Sequence, residues 1–294
     1  MIVVTGATGN VGRELVRNLA ASGAQVTATS RRIAEGDVPD GVLARRAELT
    51  DPESLRPVFD GAEALFLHDG GPVAHLLDVP HLLDVAKAGG VRRIVLLSSL
   101  GVLTRPESAS HGGTGRAIEE AVRQSGLDWT LLRPGGFHSN AFQWAESVRE
   151  QRTVAAPFGD TGLPTVDPAD IAAVAAVALR EDGNAGQAYE LTGPAVVTPR
   201  QQAAALGEAV GEPVRFVELG RDEARARLLR FMPEPVADTT LDVLGAPTEV
   251  EQRISPDVER VTGRAPGSFA DWARRNAAAF RQGCPVDQVA GEER

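Results

Sequence analysis

The sequence predicts an α/β fold, a doubly wound parallel sheet followed by a smaller C-terminal lobe. Three observations carry that expectation. Through the first half of the chain, short apolar runs alternate with amphipathic stretches, the pattern of parallel strands joined by right-handed helical crossovers. A glycine-rich turn, Thr5-Gly6-Ala7-Thr8-Gly9-Asn10-Val11-Gly12, lies between the first apolar run and the first helical stretch. The chain has 294 residues, 43% hydrophobic and 24% charged, which suits a folded α/β core with an attached lobe and argues against wholesale disorder.

Each element follows from local chemistry. Met1–Thr5 reads as a strand, and Asn10–Ala21 as a helix with Val11, Leu15, Val16 and Leu19 at helical spacing. Gln25–Thr29 and the weaker Val42–Ala47 are the next strands, and Thr50-Asp51-Pro52 is a helix start with proline in the first turn. Ala64–Leu67 is a fourth strand, Val73–Ala88 a long helix, Arg93–Leu97 a fifth strand, Thr114–Ser125 a helix and Trp129–Leu132 a sixth strand. Further on, Asp167–Leu179 reads as a helix and Ala188–Thr192 as a strand. A helix from Thr198-Pro199-Arg200 to about Val210, a strand Val214–Leu219 and a helix Asp222–Leu229 follow. Pro233, Pro235, Pro247, Pro256 and Pro266 interrupt the remainder, and the tail after Gly283 is polar. The expected division is a core over residues 1–192, with 150–165 contributing to the lobe, and a capping lobe over 193–294.

The glycine turn carries the first functional reading. Gly6 permits a tight turn off the strand, Gly9 lets backbone approach a pyrophosphate, and Gly12 lets the helix pack on the sheet. The helix start presents N–H groups and partial positive charge to an anion. Gly6, Thr8, Gly9, Asn10, Val11 and Gly12 are therefore the expected dinucleotide loop of a Rossmann sheet; the plainer alternative is a tight βα turn. The second strand ends in Ser30-Arg31-Arg32, with no carboxylate before Glu35. Guanidiniums suit a 2′-phosphate, so the expected cofactor is NADP, with NAD as the alternative. Arg31, nearer the strand, is the stronger candidate of the pair; either arginine could instead be a solvated surface charge.

These residues resemble the NmrA-like family of atypical short-chain dehydrogenases/reductases. The resemblance rests on TGATGNVG, on Ile94-Val95-Leu96-Leu97-Ser98-Ser99, and on the stretch from Ser125 to Phe137 that contains Arg133-Pro134-Gly135-Gly136. Asp167-Pro168-Ala169-Asp170-Ile171-Ala172 and Tyr189-Glu190-Leu191-Thr192-Gly193-Pro194 look like later core segments of the same family. The resemblance spans nearly the whole chain and is specific up to about residue 195. It implies NAD(P) binding but leaves the reaction open, since the family includes quinone reductases, isoflavone-reductase-like enzymes and catalytically silent redox sensors.

One departure narrows the chemistry. Most short-chain reductases protonate the developing alkoxide with a Tyr and a Lys four residues apart. This chain has a single tyrosine, Tyr189, and a single lysine, Lys87, in unrelated elements. Alignment backwards from the Arg-Pro-Gly segment puts Gly112 at the Tyr position and Arg116 at the Lys position. An arginine, with a pKa above about 12, shuttles no proton near neutrality. An alkoxide benefits from a positioned acid by about 10²–10⁴-fold, whereas a hydroquinone anion delocalises its charge and is only about as basic as a phenolate, near pKa 10. The expected acceptor is a quinone or a conjugated enone.

The remaining polar candidates follow from position. Ser98 and Ser99 leave the fifth strand at its carboxyl end, where open α/β sheets place ligands, and with His111 and Arg116 they are the catalytic candidates. His68, Asp69, Ser98, Arg116, Pro134 and Phe137 are expected along the cofactor groove, and Phe137, His138 and Asn140 toward the substrate. Each has a plainer alternative: local capping for the serines, a solvated loop for His111, packing for Phe137. His75 and His81 read as surface or structural. No HExxH cluster suggests a metal and no Gly-x-Ser-x-Gly elbow suggests a hydrolase. The mixed charges of Arg221–Arg230 read as a solvated helix face.

Composition excludes other classes. The formal charge of −10 disfavours nonspecific nucleic-acid binding. Lone Cys284 excludes an intrachain disulfide framework. With no signal-like start or membrane-length apolar run, the expectation is a cytoplasmic protein, monomer or homodimer, acting on a small aromatic or quinone molecule. The arginine-rich composition suits a high-GC bacterial genome. There the reduced product of an aromatic polyketide could react with oxygen, giving hydroxylation in antibiotic biosynthesis. The rival readings are a non-catalytic NADP(H)-binding redox sensor and an epimerase or dehydratase with a resident nucleotide.

Overall fold

β1 (Ile2–Thr5), β2 (Val26–Ser30), β3 (Leu43–Arg46), β4 (Ala64–His68), β5 (Arg93–Leu97), β6 (Asp128–Pro134) and, after a lobe strand β7 (Thr153–Ala156), β8 (Gln187–Leu191) make up the framework. The structure is a computed structural model and describes residues 1–68, 71–108 and 112–281. Its main sheet has the order β3-β2-β1-β4-β5-β6-β8, and the pairs are parallel throughout. The winding reverses between β1 and β4, so a crevice opens at their carboxyl ends, where open α/β sheets bind ligands.

Alternation along the strands sends apolar side chains to both faces. Val4, Phe66, Val95 and Leu132 pack with α1 (Asn10–Ala21) and, further along the chain, Pro168–Arg180. Their neighbours Val3, Leu65, Leu96 and Leu131 pack on the other face with α2 (Pro52–Phe59), α3 (Val79–Ala88) and, beyond the short α4 (Gly101–Thr104), α5 (Gly113–Gln124). Leu15 and Leu19, both fully buried, each contribute about 1.5–3 kcal/mol of transfer free energy and fix the inner face of α1.

A separate apolar cluster forms the lobe. It gathers Trp144, then α6 (Ala145–Gln151) and β7. After α7 (Pro168–Arg180) come α8 (Pro199–Val210) and β9 (Arg215–Glu218), which pairs with β7 in parallel. Then follow α9 (Arg221–Leu228), α10 (Glu234–Gly245), α11 (Glu249–Gln252), α12 (Asp257–Thr262) and α13 (Phe269–Arg275). With respect to the expected division at residue 192, residues 141–156 pack with the lobe, while Val258 of α12 packs with the main sheet.

Two local expectations need correction. The expected single helix over Val73–Ala88 is a 3₁₀ segment, Gly71–Leu76, followed by α3. Asp78 caps α3 by accepting from the His81 N–H, and Pro80 stands in its first turn; a proline starts a helix well but interrupts one from inside. By the same chemistry the later prolines open helices: Pro233 is the N-cap of α10 and Pro256 that of α12. The stretch from His138 to Ala156, given no elements by the periodicity, holds a 3₁₀ turn, α6 and β7.

Candidate active site

The glycine loop is built by steric necessity. Thr5 donates its hydroxyl to the Phe66 carbonyl, 2.9 Å, and accepts the His68 N–H at 3.3 Å, fastening the end of β1 to β4. Gly6 has φ +61°, and a β-carbon there would fall 2.6 Å from Cδ2 of His68, so only glycine fits. The Gly9 N–H donates to the Gly6 carbonyl at 2.9 Å, closing the turn. At Gly12 a β-carbon would sit 2.2 Å from the Gly6 oxygen, so the helix approaches the loop as closely as backbone permits. Among the described residues, a β-carbon at Gly9 would meet only the Gly6 oxygen within 4 Å, at 3.2 Å, which leaves the outer side of the loop open to them.

That open side faces an uncapped helix start. Gly9 is the N-cap of α1 and offers no side-chain cap, and no acidic residue stands in the first turn. The N–H groups and the positive end of the helix dipole are thus available to an anion. These features fit a dinucleotide pyrophosphate.

Side chains draw the neighbouring candidates together. The Thr8 hydroxyl lies 3.3 Å from that of Ser30, joining the loop to the end of β2, with Arg31 and Arg32 exposed beyond it. Asn10 donates its amide to Ser139, 3.3 Å, tying α1 to the segment that follows β6. Leu100 N–H donates to the Pro134 carbonyl at 2.9 Å, which sets the exits of β5 and β6 side by side. Phe137 is half-buried and packs against the α1 face of the core. Val11 is buried in that same core.

Other candidates are committed elsewhere. Ser98 is buried and donates to Glu119, 2.7 Å; Glu119 also accepts from Arg133 at 2.9 and 2.6 Å and from Arg123 at 2.9 Å. Burial pushes the Glu119 carboxyl up, but the Arg133 and Ser98 hydrogen bonds and the two arginine charges outweigh it and hold it below the ordinary carboxylate range. Ser99 accepts the Gly101 N–H at 3.1 Å and so steadies α4. Arg116 is half exposed and stands 3.6 Å from Glu107. Asn140 is exposed. Asp69, His111 and Cys284 lie outside the described residues.

His138 occupies the interior. Its Nδ1 is 2.9 Å from the Thr165 hydroxyl and its Nε2 3.4 Å from the Gly267 carbonyl. A carbonyl only accepts, so Nε2 carries the proton and Nδ1 accepts from Thr165. The ring stands edge-on to Phe269, 5.3 Å between centroids. Burial lowers its pKa, while the Asp167 and Asp170 charges work in the opposite direction. Sequence spacing could not show this seat, because Thr165, Gly267 and Phe269 are remote in the chain. Glu119 was missed for the same reason.

Gly112 has no room for a side chain. At Gly112 a β-carbon would lie 2.3 Å from the Arg105 and Pro106 carbonyl oxygens. Arg105 is held there by Glu251 of α11, at 2.8 and 2.9 Å, and by the Ala246 carbonyl, 2.9 Å. Burial raises and the Arg105 and Thr248 hydrogen bonds lower the Glu251 pKa, the net direction being down.

A switch-point crevice with a glycine loop at an uncapped helix start defines a dinucleotide-binding Rossmann protein. Comparison with known proteins agrees. The NAD(P)H-binding family pattern matches residues 6–182. The chain is 38% identical to (4-alkanoyl-5-oxo-2,5-dihydrofuran-3-yl)methyl phosphate reductase of Streptomyces griseus, covering 95% of this chain and 99% of that one. It is 32% identical to NAD(P)H azoreductase of Xenophilus azovorans, over 95% and 99%. The crystal structure of the NADPH-dependent quinone oxidoreductase QOR2 of Escherichia coli with NADPH superposes with TM-score 0.77 at 27% identity, covering 94% of this chain and 99% of that one. The chain belongs to the NmrA-like atypical short-chain dehydrogenase/reductase family and binds NAD(P)H.

Proposed function

We propose that the protein is an NADPH-dependent reductase of electron-poor conjugated acceptors, quinones or enones, with no side chain at the tyrosine position to deliver the proton. The observation that carries this reading is Gly112, where backbone fills the space an acid would need. NADPH supplies a hydride when bound. Gly6, Gly9 and Gly12 with the start of α1 hold its pyrophosphate, and Ser30 and Arg31 its adenine ribose. Phe137 bounds the nicotinamide end. A quinone that accepts a hydride becomes a hydroquinone anion, whose delocalised charge waits for a proton from water. The relatives named above, reductases of a furanone phosphate, azo compounds and quinones, all act on conjugated acceptors, which supports the reading.

The test is a panel of quinones, a conjugated enone and an unconjugated ketone, with loss of the reduced-nicotinamide absorbance followed against a protein-free blank. Quinones and enone are expected to oxidise NADPH, the simple ketone not, and Gly9→Val to abolish turnover. Oxygen uptake with an aromatic polyketide quinone tests the finer proposal that the product goes on to hydroxylation. Tight NADPH binding with no oxidation by any acceptor would favour the sensor reading instead.

A further inference from the structure

We infer that Arg46, at the end of the third strand, is a second anchor for the 2′-phosphate and a determinant of NADPH over NADH. The inference rests on the NADPH reading above and concerns a residue outside the glycine loop and outside the second-strand arginine pair.

Register places it. In the parallel β2–β3 pair Ala28 lies opposite Ala44, and Ser30 opposite Arg46. Ala28 and Ala44 pack on the face that carries α1. Side chains two residues apart share a face, so Ser30 and Arg46 emerge together on the α1 side, at the carboxyl end of the sheet. Ser30 is the residue whose hydroxyl meets Thr8 of the glycine loop, 3.3 Å. Arg46 therefore belongs to the same corner as the nucleotide loop.

The side chain is also fixed in a useful way. Its Nε donates to the Ile33 carbonyl at 3.1 Å. This contact lays the guanidinium across the loop that begins with Arg31 and Arg32, and it occupies only the inner nitrogen. Among the described residues, no hydrogen bond or ion pair engages the two terminal nitrogens of Arg46, nor the guanidinium of Arg31. Both side chains are exposed. Most other arginines of this chain have carboxylate partners, such as Arg105 with Glu251 and Arg152 with Glu212. Two guanidiniums left without a counter-ion, Arg46 at the end of β3 and Arg31 in the turn just past β2, suit a dianion held from two sides. Arg45, the neighbour of Arg46, points to the opposite face by the same alternation and serves as a control.

The test measures binding directly, by calorimetry of the full chain with NADP⁺, NAD⁺ and adenosine 2′,5′-bisphosphate. The wild type is expected to prefer NADP⁺. Arg46→Met, which keeps the apolar stem, is expected to weaken NADP⁺ and the bisphosphate by roughly 10–100-fold, the range of a lost charge-assisted hydrogen bond. NAD⁺ affinity should stay unchanged, which also shows that the variant is folded. Arg46→Lys should recover part of the loss, and Arg45→Met should cause none. If Arg46→Met binds NADP⁺ like the wild type while Arg31→Met does not, the inference is wrong and the second strand acts alone. If the wild type binds neither nucleotide, the dinucleotide reading itself fails and this inference with it.

Discussion

Glu119 and Arg133 meet face to face through two hydrogen bonds, 2.9 and 2.6 Å, with the carboxylate 1% exposed. Ser98 and Arg123 complete the shell around the same carboxylate. One side chain of α5 thereby holds the exits of β5 and β6, the strands that lead to Ser99 and Phe137.

Removing that carboxylate leaves a buried guanidinium uncompensated. Glu119→Ala is expected to destabilise the fold by about 3–5 kcal/mol, measured by urea denaturation, and Glu119→Gln by less because amide oxygen still accepts from Arg133 and Ser98. The folded-state pKa of Glu119 is lowered from 4.5. Its ionised form therefore stabilises the fold above the unfolded carboxylate pKa, and that share fades as pH falls through the folded value. In the Gln variant this acid-side loss should be diminished.

Gly112 yields a prediction in the opposite sense from simple homology. Introducing an acid by Gly112→Tyr should not create a ketone reductase, because a β-carbon would collide with the Arg105 carbonyl at 2.3 Å. Even Gly112→Ala is expected to cost about 1–3 kcal/mol through overpacking, read as a lowered thermal midpoint. A stable Tyr variant that reduces an unconjugated ketone would refute the steric argument.

His138 supplies a pH signature near neutrality. Its folded pKa is lowered from the ordinary 6.5 by burial. The neutral ring is favoured in the folded state, so its stabilisation is fully present above the unfolded pKa and is lost as pH falls through the folded value. Between pH 7.5 and the mildly acidic range, on the order of two pH units lower, His138→Gln should lose less stability than the wild type, measured by paired denaturation curves. Equal losses in both proteins would show that the ring does not titrate across folding.

The glycine loop could be read from the sequence because its demands are local. Gly6, Gly9 and Gly12 meet their steric partners within the loop or on the adjacent strand, and β1, α1 and β5 carry strong apolar patterns. The partners of Ser98 could not be read, because Glu119 and Arg133 come from two other elements and nothing in their spacing marks them as a pair. His138 was expected toward the substrate on the strength of its place after the Arg-Pro-Gly turn. Its actual neighbours, Thr165, Gly267, Phe269 and Trp272, arrive from later chain. Why position 112 is a glycine, with carbonyl oxygens pressed against it, is purely three-dimensional.

The weaving of the chain between the apolar cluster on the α1 face of the sheet and that of the lobe bears on how such proteins diversify. Residues 141–156, 203–209 and 269–280 serve the lobe, while 166–191 and Val258 serve the sheet. No single cut frees one cluster from the other. A new substrate preference therefore cannot be acquired by importing the lobe as a cassette at one splice point; it has to accumulate substitution by substitution around an unbroken nucleotide platform.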